Sequence, residues 1–138
     1  MNKRYVVESV FGHEGYVCVV VFGDLGFRCG YVGVPKEHPL YNVDYNTIYY
    51  KIDVHGGLTY SGGSADYPIA SDGLWWFGFD CGHAWDGFDY ELAAGLFPEN
   101  RQFYQMQYMS EDPVCSPEYV AAECRSLAEQ LKEFEQTN

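Results

Sequence analysis

Basic residues are scarce in this chain: eight Lys and Arg stand against twenty Asp and Glu among 138 residues, a formal charge of −12. A surface of that sign repels a phosphate backbone, so direct nucleic-acid binding, which rests on neutralising phosphates, is excluded as the main activity. Long apolar runs are also missing. The longest, Tyr16-Val17-Cys18-Val19-Val20-Val21-Phe22, has seven residues, against the roughly 20 that a membrane helix needs. No Cys-x-x-Cys, His-Glu-x-x-His, Gly-x-x-x-x-Gly-Lys-Ser/Thr, Gly-x-Gly-x-x-Gly or Gly-x-Ser-x-Gly string occurs, so the common signatures of zinc, phosphate and serine-nucleophile sites are absent. The five cysteines, Cys18, Cys29, Cys81, Cys115 and Cys124, are odd in number and far apart. That pattern speaks against a disulfide framework and a thiolate zinc site, and fits a reducing cytoplasm. Met1-Asn2-Lys3-Arg4 is basic like the start of an export signal, but Glu8 and Gly12 interrupt the apolar stretch that follows, and no signal is read there.

What is present describes a folding chain. Apolar residues make up 47% and charged residues 20%, the balance of a globular protein, and the length suits one domain over residues 1–138. Strands are expected at Tyr5 to Val10 and Tyr16 to Phe22, joined by the five-residue loop Phe11-Gly12-His13-Glu14-Gly15, and again from Phe27 to Val34, closed by Pro35. Further β-prone runs are Ile48 to Val54, Leu58 to Ser61, the aromatic Leu74 to Phe79 and a weak Phe103 to Tyr108, with a glycine- and serine-rich loop over 62–73. A short helix is expected at Tyr90 to Leu96. The clearest element is the last: Ser116 as cap and Pro117 at the first helical position precede Val120, Cys124, Leu127, Leu131 and Phe134, an apolar stripe at helical spacing. The order predicts an α+β fold, a mostly antiparallel sheet of five or six strands with one C-terminal amphipathic helix packed on it.

Three groups of residues could carry chemistry. His55, Asp80, His83 and Asp86 offer imidazole and carboxylate donors near strand ends, a set that suits a divalent metal with positions left for water. As purely structural residues, the same side chains would cap turns and order loops. Arg28, Lys36 and His38 flank the glycine-punctuated Gly30 to Leu40 segment, and suit an anionic small molecule. Thr59, Tyr60 and Ser61 could hydrogen-bond a ligand while Tyr31, Trp75 or Trp76 stacks on its ring, the two tryptophans facing opposite sides of one strand. Cys81 reads by default as a buried small apolar residue. Acidity is concentrated late: residues 1–60 hold five basic and six acidic side chains, residues 61–138 three and fourteen. That half is either a solvated surface or a face for a basic protein partner.

The strings Cys29-Gly30-Tyr31-Val32-Gly33-Val34-Pro35-x-x-His38-Pro39-Leu40, Val54-His55-Gly56-Gly57-Leu58-Thr59-Tyr60-Ser61 and Trp75-Trp76-Phe77-Gly78-Phe79-Asp80-Cys81-x-His83 together resemble a group of proteins without an assigned activity, found in bacteriophages, prophages and bacterial genomes. The resemblance covers most of the chain. It implies a phage or accessory-gene setting, with the host cytoplasm as the site of action, and assigns no residue a role. The leading expectation is a small binding protein that sequesters a polar small molecule, such as a nucleotide-type immune signal, in counter-defence. Its pocket would be lined by Arg28, Tyr31, Lys36, His38, His55, Thr59, Tyr60, Ser61 and Trp76. The alternatives are a metal-dependent hydrolase built on His55, Asp80, His83 and Asp86, and an acidic inhibitor of a host defence protein that mimics nucleic-acid charge. A homo-oligomer is compatible with the tyrosine content.

Overall fold

A computed structural model describes residues 4–63 and 66–136. Met1–Lys3 of the basic start, and Ser64 and Ala65 of the expected 62–73 loop, lie outside the described residues. Five strands, β1 (Tyr5–His13), β2 (Tyr16–Gly23), β3 (Arg28–Pro35), β4 (Tyr60–Gly63) and β5 (Leu74–Asp80), form one antiparallel sheet in the order β1-β2-β3-β5-β4. Three helices follow the pattern of short, short and long: α1 (Tyr90–Leu96), α2 (Arg101–Gln105) and α3 (Pro117–Gln136). The protein is therefore α+β, as the order of its elements predicts. Among the described residues, no helix is long and apolar enough to cross a membrane.

The sheet buries both faces. On one, Val120, Cys124, Leu127, Ala128 and Leu131 of α3 meet Cys18, Val20, Val32, Val34, Phe77 and Phe79. On the other, Val19, Val21, Tyr31 and Trp76 lie under Tyr5, Tyr60, Tyr67 and Ile69. Coverage on both sides is why Tyr16 to Phe22 reads as an unbroken apolar run rather than an alternating one. It also settles the two tryptophans: Trp75 packs beside the α3 face, and Trp76 is wholly buried on the opposite one. At the start of α3 the Tyr119 N–H donates to Ser116 Oγ at 3.1 Å, so Ser116 is the cap that its place before Pro117 predicts.

Three expected elements take other forms. The first hairpin closes through a two-residue turn at Glu14 and Gly15, both at positive φ (56° and 82°), so β1 runs on to His13 and the five-residue loop shrinks. Ile48 to Val54 is not a strand: it follows the 3₁₀ turn Tyr45–Thr47, contains a second one, Tyr49–Lys51, and runs on without regular structure from Ile52 to Val54. Its apolar residues Ile48, Ile52 and Val54 are nevertheless buried on the α3 face, and Asp44 accepts the Asn46 N–H at 2.9 Å to start the first turn. Burial, not pairing, is what those β-branched side chains satisfy. The weak strand at Phe103 to Tyr108 is replaced by α2, which buries Tyr104 beside Phe22, Ala93 and Phe97 and leaves Phe103 outside.

Leu127 sits at the centre of the α3–sheet contact with no exposed surface. Leu127→Ala is expected to lower unfolding free energy by about 2–5 kcal/mol in urea denaturation. A loss below about 1 kcal/mol would contradict this packing.

Candidate metal centre

Three separate parts of the chain meet at the end of the sheet where β5 finishes. The turn His55-Gly56-Gly57 precedes β4, the bend Asp80 to Asp86 follows β5, and Cys115 leads into α3. Asp86 is the hub. Its residue is only 5% exposed, and its carboxylate accepts the His83 backbone N–H at 3.0 Å, the His83 Nδ1–H at 3.0 Å and the His55 Nε2–H at 2.9 Å. Burial alone would raise the Asp86 carboxyl, but these bonds to the His83 backbone, His55 and His83 together hold it below its ordinary value.

His55 is fixed from both sides. With Nε2 donating to Asp86, its Nδ1 accepts the Tyr119 hydroxyl proton at 2.9 Å, and its backbone N–H donates to Glu123 Oε1 at 2.8 Å. Tyr119 and Glu123 stand four residues apart, one helical turn, so a single face of α3 grips the residue twice. The His83 ring lies flat on Trp85, with centroids 4.6 Å apart and planes 8° from parallel. Its Nε2 is 3.9 Å from Asp80 Oδ1. Asp80 is itself oriented by the Gly82 N–H and by the Thr59 hydroxyl, each at 3.0 Å.

The result is a set of ligand-bearing atoms on His55, His83 and Asp86 that all lie within 4.8 Å of one another. An ion there would take the place of the protons that His55 and His83 direct at Asp86; with each ring in its other tautomer, two imidazole nitrogens and a carboxylate oxygen at that spacing are donor types of a zinc-class ion, and three protein ligands leave room for a water. Beside His55 opens a cavity of about 350 Å³ lined by His55, Pro113, Val114, Cys115, Ser116 and Tyr119.

The nine residues expected to line one small-molecule pocket are not brought together. Arg28 is buried, its guanidinium spent on a bidentate pair with Glu8 (2.6 and 3.0 Å) and on the Cys115 carbonyl at 3.0 Å. His38 is buried against α3, where Nε2 donates to the Leu131 carbonyl at 2.8 Å and Nδ1 accepts the Leu40 N–H at 3.0 Å. Tyr31, Tyr60 and Trp76 belong to the face of the sheet away from α3. Ser61 Oγ accepts the Tyr45 N–H at 2.9 Å, and Lys36 is exposed on the turn after β3. Only His55 and Thr59 reach the Asp80 end. The reason is physical: side chains alternate between faces along a strand, so Arg28 and Tyr31 of β3 point to opposite sides of the sheet, and Lys36 and His38 lie beyond the strand's end.

Reasoning from sequence overlooked Cys115, Tyr119, Glu123 and Trp85 as members of the site, and left Cys81 as an inert core residue. One signal was available for two of them. Ser116 sets where α3 begins, so Tyr119 and Glu123 must share a face near the helix start.

Gly56 has φ +68°, and a Cβ there would stand 2.1 Å from His83 Cε1, whereas Gly57 at φ +82° has nothing within 4 Å. Gly57→Ala should therefore cost only the left-handed backbone penalty, about 1–2 kcal/mol. Gly56→Ala should cost that and displace the His83 ring, adding about 1–3 kcal/mol. Equal losses for the two variants in denaturant melts would refute the close packing of the turn on His83.

Comparison with known proteins adds no assignment: no family model, curated protein or solved structure matches this chain at a significant level.

Proposed function

We propose that this protein is a metal-dependent hydrolase of a polar small molecule, with a divalent transition-metal ion held by His55, His83 and Asp86. The observation that carries the reading is the convergence of two imidazoles and a buried carboxylate from distant parts of the chain within 4.8 Å. His55, His83 and Asp86 would hold such an ion with one position left open, and the chemistry it would supply there is an activated water for attack on a substrate. Asp80 stands 3.9 Å from His83 Nε2, beside the centre and beyond hydrogen-bond distance, and stacking on Trp85 is what orients the ring. The adjoining cavity of about 350 Å³ falls at the small end of the roughly 300–1,000 Å³ range of ligand sites. Tyr119 supplies a hydroxyl at its wall, and Pro113 and Val114 an apolar surface.

A second reading, capture of a polar molecule without turnover in a phage counter-defence setting, is favoured by a different observation. Both ring nitrogens of His55 are already engaged, by Asp86 and Tyr119, which leaves no free base at the cavity. Turnover separates the two readings.

Calorimetric titration with zinc is expected to show one ion per chain. His55→Ala and His83→Ala should each weaken binding by at least about 10–100-fold, the loss that even outer partners of a metal site cause, while His13→Ala, whose imidazole pairs with Glu129 elsewhere, should not. Chromogenic ester and phosphodiester probes should be cleaved only by the ion-loaded chain. Ion binding without cleavage would transfer support to capture, and absence of ion binding would overturn the metal reading.

A further inference from the structure

The same end of the sheet carries a second donor set that the hydrolase reading does not use. Ligand atoms of His55, Cys81 and Cys115 also lie within 4.8 Å of one another, and His55 belongs to both sets. The two thiols come from either side of the centre, Cys81 from the residue after β5 and Cys115 from the residue before the α3 cap. Both are buried, at 1% and 9% exposure. Neither has a disulfide partner.

We infer that the ion chosen by this centre is thiophilic, of the zinc class, and that Cys81 and Cys115 ligate it together with His55 in place of His83 and Asp86, three protein ligands that still leave one position open for water. The inference rests on the metal reading above and deepens it by naming the metal class. Cys115 Sγ lies 3.8 Å from His55 Nε2 and 3.9 Å from Asp86 Oδ1. A tetrahedral zinc, with bonds of about 2.3 Å to sulfur and about 2.0 Å to nitrogen or oxygen, spaces its ligand atoms about 3.3–3.8 Å apart. The 3.8 Å between the Cys115 sulfur and His55 Nε2 is therefore within a few tenths of an ångström of the spacing of two ligands on one ion. Small side-chain rotations complete the fit. On ligation each thiol gives its proton to solvent, and the sulfur enters as thiolate.

Two further features support thiols as ligands rather than filling. The backbone of Cys115 is held by the buried Arg28, whose guanidinium spans from the Glu8 carboxylate to the Cys115 carbonyl. Arg28 is thus a positioning residue for that sulfur. Magnesium and calcium take oxygen ligands, so a mixed sulfur and nitrogen set discriminates against the two commonest cellular divalent ions and leaves zinc-class ions as its match. The wide separation of Cys81 and Cys115 in sequence hid this set, because ligand-spacing patterns detect only pairs that are close along the chain.

Cobalt(II) titration of the full chain tests this directly. A near-ultraviolet sulfur-to-cobalt charge-transfer band is expected, unaffected by excess magnesium and abolished by zinc. In Cys115→Ser and Cys81→Ser the band should fall, with cobalt affinity reduced about 10–100-fold. Arg28→Lys should retain the band while weakening affinity, as a positioning role requires. Cobalt bound in a His55-dependent manner without any sulfur band would overturn the inference and leave the His55, His83 and Asp86 centre standing. Failure to bind cobalt or zinc at all would overturn both. The wild-type spectrum alone decides between these outcomes, so the test does not depend on a variant folding.

Discussion

A carboxylate taken out of water must find partners or lose its charge, and the cost of leaving it unpaired is several kcal/mol. Asp86 meets that demand with the His83 backbone and two imidazoles. Those partners come from different segments, so satisfying one buried charge pulls the His55 turn and the bend after β5 into a single arrangement. The Cys115 thiol completes the ring by donating to Asp86 Oδ1 at 3.9 Å. The geometry of the centre follows from this one requirement.

The rest of the fold supplies rigidity to the three segments. β5 lies inside the sheet, paired on both edges, and therefore fixes where Asp80 and Cys81 leave it. α3 is anchored by a fully buried stripe, and its first turns present Tyr119 and Glu123 toward the His55 turn. Gln130, further along the helix, bonds both the backbone N–H and carbonyl of Asp53 at 2.8 Å. The segment entering the centre is thus tied to the same helix at two levels. A site mounted on a central strand and a packed helix holds its geometry better than one mounted on loops alone.

Much of this was legible in the sequence where a local rule applies. The α3 stripe, its Ser116 cap and the aromatic alternation of β5 each express one period or one capping preference, and the structure bears them out. Of the four donors read from the sequence, His55, His83 and Asp86 are brought within 4.8 Å of one another, while Asp80 stays outside that set, its carboxylate taken by the Thr59 hydroxyl and the Gly82 N–H. What could not be read was long-range. Arg28 looks like a ligand-binding cation until Glu8 is placed opposite it, and Cys115 looks like a stray thiol until α3 is docked. Ile48 to Val54 has strand composition but joins no strand ladder, and Ile48, Ile52 and Val54, which flank the Tyr49–Lys51 turn, are buried by packing on the α3 face instead.

The central claim is that these side chains form a metal centre, and a zinc-edge anomalous scattering map from crystals grown with zinc tests it most directly. One strong peak is expected at His55, at about 2.0–2.3 Å from its imidazole and from two further donors, either Cys81 and Cys115 or His83 and Asp86. A map without a peak there, in which Asp86 still bridges His55 and His83, would contradict it.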